Sequence, residues 1–212
     1  MVEDNIFYIV SDEYVEYLLK IESHVMQNKP QERTYHRKYV GVLTEINGFK
    51  YFVPMSSPKD KDYANGKIKK NNLTTIYLRN KEKLYGTLRF NSMIPVPGSE
   101  LSVYKINDEG DFSYKLLMLA EYNFCKDNRD KIEKTAKNLY EKKCNSSEEE
   151  FPVGRIVIDF KKVEEACRNY KKQQITNNKV FKADVKVKPC HRNESQKIFS
   201  ANSFLNFKLK SF

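Results

Sequence analysis

The 212 residues contain no tryptophan, no closely spaced cysteines and no apolar run of membrane length. Without tryptophan, the aromatic surface for core or stacking rests on 14 tyrosines and 13 phenylalanines. Cys125, Cys144, Cys167 and Cys190 are scattered with no CxxC pair. That spacing argues against both a disulfide framework and a zinc cluster, and fits a reducing cytosol. The longest apolar run, Leu116–Ala120, is far too short to cross a bilayer. The opening MVEDNIFYIVSDE has early acids and too brief an apolar stretch for a signal peptide. The expectation is a soluble protein of the cytoplasm with no membrane partner. GxxxxGK-S/T, HExxH and GxSxG are all missing, as is any run of acids spaced to hold a metal. P-loop nucleotide hydrolysis, zinc hydrolysis and the usual serine hydrolases are therefore disfavoured. No cofactor and no metal ligand set is expected, and no internal repeat is present.

What the chain does carry is positive charge. Lysine and arginine number 38 against 28 acids, a formal net charge of +10. Such a balance favours a polyanionic partner, nucleic acid before membrane, because neutralised phosphates release counterions. The plain alternative is a structural protein whose charge serves only solubility.

The pattern along the chain is strands first, helices later. Asn5–Val10 reads as a strand, and Ser11 caps a helix with Tyr14, Leu18, Ile21 and Val25 on one stripe. Gln27–Lys38 reads as a polar, basic loop and Asp60–Asn72 as a surface loop. Leu73–Arg79, Leu84–Phe90 and Glu100–Ile106 read as further strands, with a short extended piece from Asn91 to Pro97. Tyr114–Lys143 is largely helical, with Leu116, Leu119, Tyr122 and Lys126 on one line. After a strand at Ile156–Ile158, Asp159 caps a last helix striped by Phe160, Val163, Cys167 and Tyr170, with Glu164 and Arg168 as an i, i+4 pair. Alternation at Val180–Lys188 suits one half-exposed strand. The fold class is α+β: a compact, curved antiparallel sheet or partly closed barrel with flanking helices.

The chain is organised around Val40–Lys59. Asn47-Gly48 supplies the two positive-φ positions of a type I′ hairpin turn. The return arm Phe49–Met55 is aromatic and β-branched, and runs out into Ser56-Ser57-Pro58-Lys59. Pro58 disfavours α geometry at Ser57, so the chain leaves the strand extended, displaying two hydroxyls and an ammonium. The other candidate segment, Tyr35-His36-Arg37-Lys38, leads into the same hairpin from its far end. Each has a plain alternative: an ordinary strand-ending turn for the first, a solvated basic loop for the second. RNA allows a metal-free mechanism, since its own 2′-hydroxyl attacks the phosphorus and needs only proton carriers and cations. Tyr35, His36 and Lys59 are rival candidates for the proton carrier. Lys115, Asn123 and Lys126 add phosphate contacts or form the wet face of the long helix.

Five blocks resemble one family: FYIVSDEYVEYL, then Tyr35 with YVGVLTEINGFKYFVPMSSPK, then FNSMIPVP, YKLLMLAEYNFCKDNRDKI and DFKKVEEACRNY. In order and spacing, over Ile6–Lys172, they are similar to the ToxN/AbiQ family, endoribonuclease toxins of type III toxin–antitoxin systems. The combination of Pro-x-Ser/Thr-Ser-Pro-Lys with Met-Ile-Pro is the specific element. The resemblance implies a sheet shaped like that of the MazF/Kid toxins. It implies metal-independent cleavage leaving a 2′,3′-cyclic phosphate and a 5′-hydroxyl. It further implies inhibition by a small, pseudoknot-like antitoxin RNA cut from a repeated precursor, assembly into a closed toxin–RNA ring, and abortive defence against phage in a bacterium. Cellular or phage RNA would be the substrate. By position in the motif, the resemblance assigns Ser57, Ser56, Lys59 and Tyr35 to catalysis. Arg37 falls on a basic residue of the family and Phe124 on an aromatic of the long helix. With His36, Lys38, Tyr63 and Lys115 they make up the expected RNA-binding set. Residues 1–173 form the expected endoribonuclease domain and 174–212 an extension that the family pattern does not cover. The competing class is a basic RNA-binding module that does not cut.

Overall fold

The computed structural model describes residues 6–41 and 45–170. The extension at 174–212, including Val180–Lys188 and Cys190, lies outside the described residues. Among those described, β1 (Phe7–Val10), β2 (Tyr39–Gly41), β3 (Tyr51–Ser56), β6 (Thr75–Arg79), β7 (Leu84–Arg89), β8 (Ile94–Pro95) and β9 (Leu101–Val103) form one seven-stranded antiparallel sheet. Its order is β6-β7-β3-β2-β1-β9, with β8 also on β3. β4 (Tyr63–Ala64) and β5 (Lys67–Ile68) make a separate small hairpin. The sheet is open, since β6 and β9 end the path without pairing to each other.

All six residues of β3 are buried, as a central strand covered on both faces requires. One edge of β3 pairs with β2; the other pairs with β8 at Tyr51 and Phe52, then with β7 at Met55 and Ser56. Pro54, which has no N–H to give, falls in the gap between those two partners. Met55 N–H points the opposite way, to Lys38 O at 3.0 Å or less (2.9 Å). The hairpin turn is as the sequence predicts. Asn47 and Gly48 both have positive φ (52° and 75°), and Ile46 and Phe49 exchange two 3.0 Å hydrogen bonds.

The helices pack where their apolar faces dictate. Ser11 caps α1 (Asp12–Leu19), accepting from Tyr14 N–H, and Tyr14, Val15 and Leu18 are buried beneath it. Each such side chain contributes about 1.5–3 kcal/mol. The predicted stripe through Ile21 and Val25 overruns this helix, which ends at Leu19. Glu22 leaves the helical path to accept from His24 and Asp159 N–H groups, a side-chain bond that competes with another turn. The long helical stretch breaks at Asn128 into α2 (Phe112–Asp127) and α3 (Arg129–Asn145). The predicted strand at Ile156–Ile158 is instead the end of a 3₁₀ turn, Pro152–Ile156, followed by an extended step. The fourth helix, α4 (160–170), buries Phe160, Val163 and Cys167 as expected. Glu164, predicted to pair with Arg168, turns inward to Asn47 Nδ2 (2.7 Å) and Tyr51 OH (2.8 Å), while Arg168 lies over the Phe49 ring. No helix of the described residues is long and apolar enough to cross a membrane.

Candidate active site

A cleft of about 250 Å³ opens where the end of β3, strand β7, helix α2 and the loop before β2 converge. It brings Ser56 and Ser57 together with Tyr35, His36, Arg37 and Lys38. Both sequence segments that border the hairpin therefore line one cavity. Ser56 ends β3 opposite Thr87, is buried, and donates to Ser57 O at 3.3 Å. Ser57 lies past the sheet and is exposed. Lys59 continues extended (φ −134°, ψ 159°), and its N–H donates to Asp62 Oδ2 at 2.9 Å. Asp62, 1% exposed, also pairs with Arg89 at 2.7 Å. That buried pair anchors the segment carrying Ser57.

The basic loop is less solvated than its composition suggests. Arg37 is buried and donates from Nε and one terminal nitrogen to Gln27 O (3.2 and 3.0 Å), and from the other to Met55 O (2.5 Å). Burial pushes its guanidinium down to about 10. Bound to carbonyls, it ties the loop to the strand that ends in Ser56. Lys38 is buried too, donates to His36 O, and sits 4.2 Å from the Tyr104 ring centre and 5.6 Å from that of Tyr114. Burial lowers its pKa, opposed by the charge of Glu109. Tyr35 stacks on Tyr114 at 3.7 Å with the rings 3° from parallel, and its hydroxyl donates to Asp111 at 2.5 Å. That bond is the main cause that raises the Tyr35 pKa and lowers that of Asp111. Asp111 also caps α2 by accepting from Tyr114 N–H, so one carboxylate positions both stacked rings. His36 is exposed at the cleft.

Other expected residues stand apart from this wall. Lys59 is exposed but not among the lining residues. Tyr63 is on β4, exposed. Phe124 packs partly buried against the core, and Lys115 donates to Asn107 O. Asn123 and Lys126 are on the wet side of α2.

Two charged lining residues were not singled out by the sequence. Arg33 lines the cleft with its Nε buried and, among the described residues, without a hydrogen-bond partner. Glu121 lies on the buried face of α2 with Met118 and Cys125. The predicted line through Leu116 and Leu119 is instead exposed. The available signal was an acid at i+3 from one apolar residue and four before another.

The chain resembles known proteins over most of its length. A family model described as toxin ToxN of type III toxin–antitoxin systems matches residues 6–168. The endoribonuclease ToxN of Bacillus thuringiensis subsp. kurstaki is 38% identical over 174 residues, covering 79% of this chain and 84% of that protein. A solved type III toxin–antitoxin system, described as selective toxin inhibition by a non-coding RNA pseudoknot, superimposes with TM-score 0.68 and 35% identity, covering 78% of this chain and 97% of the other. A second, of the lactococcal anti-phage endoribonuclease AbiQ, gives TM-score 0.66 and 28% identity over 79% of this chain and 98% of the other.

Proposed function

This chain belongs to the ToxN family of type III toxin–antitoxin toxins, and from that premise we propose that it is an endoribonuclease toxin cutting RNA by attack of the 2′-hydroxyl on the adjacent phosphorus. The observation that carries the reading is the cleft in which Ser57, Arg33, Lys38 and His36 meet. The products are a 2′,3′-cyclic phosphate and a 5′-hydroxyl, made without a metal. The cations at the wall stabilise charge on the phosphate oxygens, the buried Arg33 Nε–H being a donor with no competing partner among the described residues. Lys59, exposed at the same strand end, holds the flanking phosphate. Ser57 donates to a phosphate oxygen, with Ser56 behind it.

Tyr35 serves as a stacking wall for a splayed base. Its hydroxyl proton is held by Asp111, which favours exposed His36 for proton exchange with the leaving oxygen. The sheet is taken as a MazF/Kid-like partly closed barrel, a curvature supported by β3 changing partners from β8 to β7. The regulator is a pseudoknot-like antitoxin RNA, processed by the toxin and retained in a closed ring of both. Bacterial cytoplasm and abortive phage defence complete the reading. Residues 1–173 are the toxin domain.

The test is incubation of the pure protein with a long RNA, with and without EDTA. Cleavage that resists EDTA and leaves cyclic-phosphate ends is expected, with Ser57→Ala slower by about 100-fold. RNA that is bound but stays intact would point to the non-catalytic binding module instead. Undiminished cleavage by Ser57→Ala would remove the serine from the site.

A further inference from the structure

Glu121 is an anomaly for a core position. Its side chain is 6% exposed beside Met118 (1%) and Cys125 (2%), yet it reaches the cleft wall. Among the described residues no hydrogen bond or ion pair to its carboxylate is found, and desolvation alone pushes it up to about 7. A buried carboxylate without a partner is costly, and the fold makes room for this one. A Cβ on Gly86 of β7 would collide with Glu121 Oε1, and the same point is 3.3 Å from Ser56 O. A glycine thus leaves space for the carboxyl where β3 ends in the serines. On its own helix, Tyr114 and Cys125 face it, and burial first and its charge second raise the pKa of both. Tyr85 stands beside it on β7, while Arg33, His36, Arg37 and Lys38 enter the cleft from the loop. It is the one carboxylate of that lining.

We propose that Glu121 is the general base that takes the 2′-hydroxyl proton, an assignment that rests on the endoribonuclease reading. The proton passes from the 2′-oxygen to Glu121 while that oxygen bonds to phosphorus. The bond from phosphorus to the 5′-oxygen breaks, and the leaving oxygen takes a proton from the imidazolium of His36. Proton return through water then resets both groups. A base poised near neutrality gains both the ionised form and driving force for transfer.

The experiment is single-turnover cleavage of a long RNA from pH 5 to pH 9 by the parent, Glu121→Gln and Glu121→Asp, with thermal melts of each. The parent rate should pass through a maximum, rising on its acid limb as Glu121 ionises and falling on its alkaline limb as the proton donor to the leaving oxygen is depleted. Glu121→Gln should be slower by about 100-fold or more and lose that rise. Glu121→Asp should be slower yet retain it. A Gln variant as fast as the parent at every pH overturns the assignment while leaving the enzyme reading intact. If Gln does not melt cooperatively, Asp decides: parental rates with an unchanged profile overturn the assignment. A parent that binds RNA without cutting it overturns the endoribonuclease reading, and the role of Glu121 with it.

Discussion

Three of the buried ionisable side chains among the described residues are handled in three ways. Glu164 is satisfied by Asn47 and Tyr51, Arg37 by carbonyls, and Glu121 by neither. Only the last leaves its burial uncompensated, and that has a consequence for folding. The folded chain holds the Glu121 proton up to about 7, whereas an ordinary glutamate releases it near 4.5. Between those values the folded state binds more proton than the unfolded one, so stability falls as pH rises through the window. Glu121→Gln lacks this loss. Urea unfolding of both proteins should show the variant gaining on the parent between pH 4 and pH 8, by about 3 kcal/mol at most. A constant difference across that range would mean that the carboxyl is not held neutral. The sequence shows Glu121 as one acid in a helix; which helical face is buried follows from the sheet that α2 meets.

At the scale of elements, local rules carried far. The Asn47-Gly48 turn, the Ser11 and Asp159 caps and the apolar face of α4 all formed where residue chemistry placed them. The same rule was available at Asn65-Gly66, where φ values of 50° and 73° close the β4–β5 hairpin inside what reads as a surface loop. Its strands have two residues each, too short to show a period. Helix α1 stopped early where Glu22 found one partner two residues on, His24, and one distant in the chain, Asp159. Asp62 illustrates the same limit in the loop it anchors, since its partner Arg89 is 27 residues away. Asp62→Ala would leave Arg89 buried and unpaired, and should cost about 3–5 kcal/mol in unfolding free energy. A loss no larger than that of an exposed ion pair would show that the Ser57 segment is held by other contacts.

For the whole molecule, the excess of lysine and arginine gains meaning from where a few of them sit. The +10 charge is a sum over the whole chain, but Arg33, Arg37 and Lys38 enter one cleft. If single-stranded RNA binds there through about three phosphates, log affinity should fall with log salt at a slope of roughly −2. Arg33→Ala should flatten that slope by about 0.7, as one lost phosphate contact does. Fluorescence anisotropy across a salt series measures it. An unchanged slope would place Arg33 away from the phosphate path. The sheet is antiparallel, as expected, and open. Family membership was likewise legible in the chain, through the Pro-Met-Ser-Ser-Pro-Lys and Met-Ile-Pro blocks.

By itself the sequence determined whatever depends on neighbours along the chain: the hairpin turn, the caps, the extended exit through Ser57-Pro58, and the blocks that mark the family. Tertiary structure alone decided what depends on burial by distant segments. It put Arg37 on carbonyls from two segments, stacked Tyr35 on Tyr114 under Asp111, left Leu116 and Leu119 exposed, and drew Glu121 into the cleft through the space at Gly86. Desolvation is the physical reason for the difference: it is set by every atom that surrounds a group, and those atoms come from strands and helices tens of residues away.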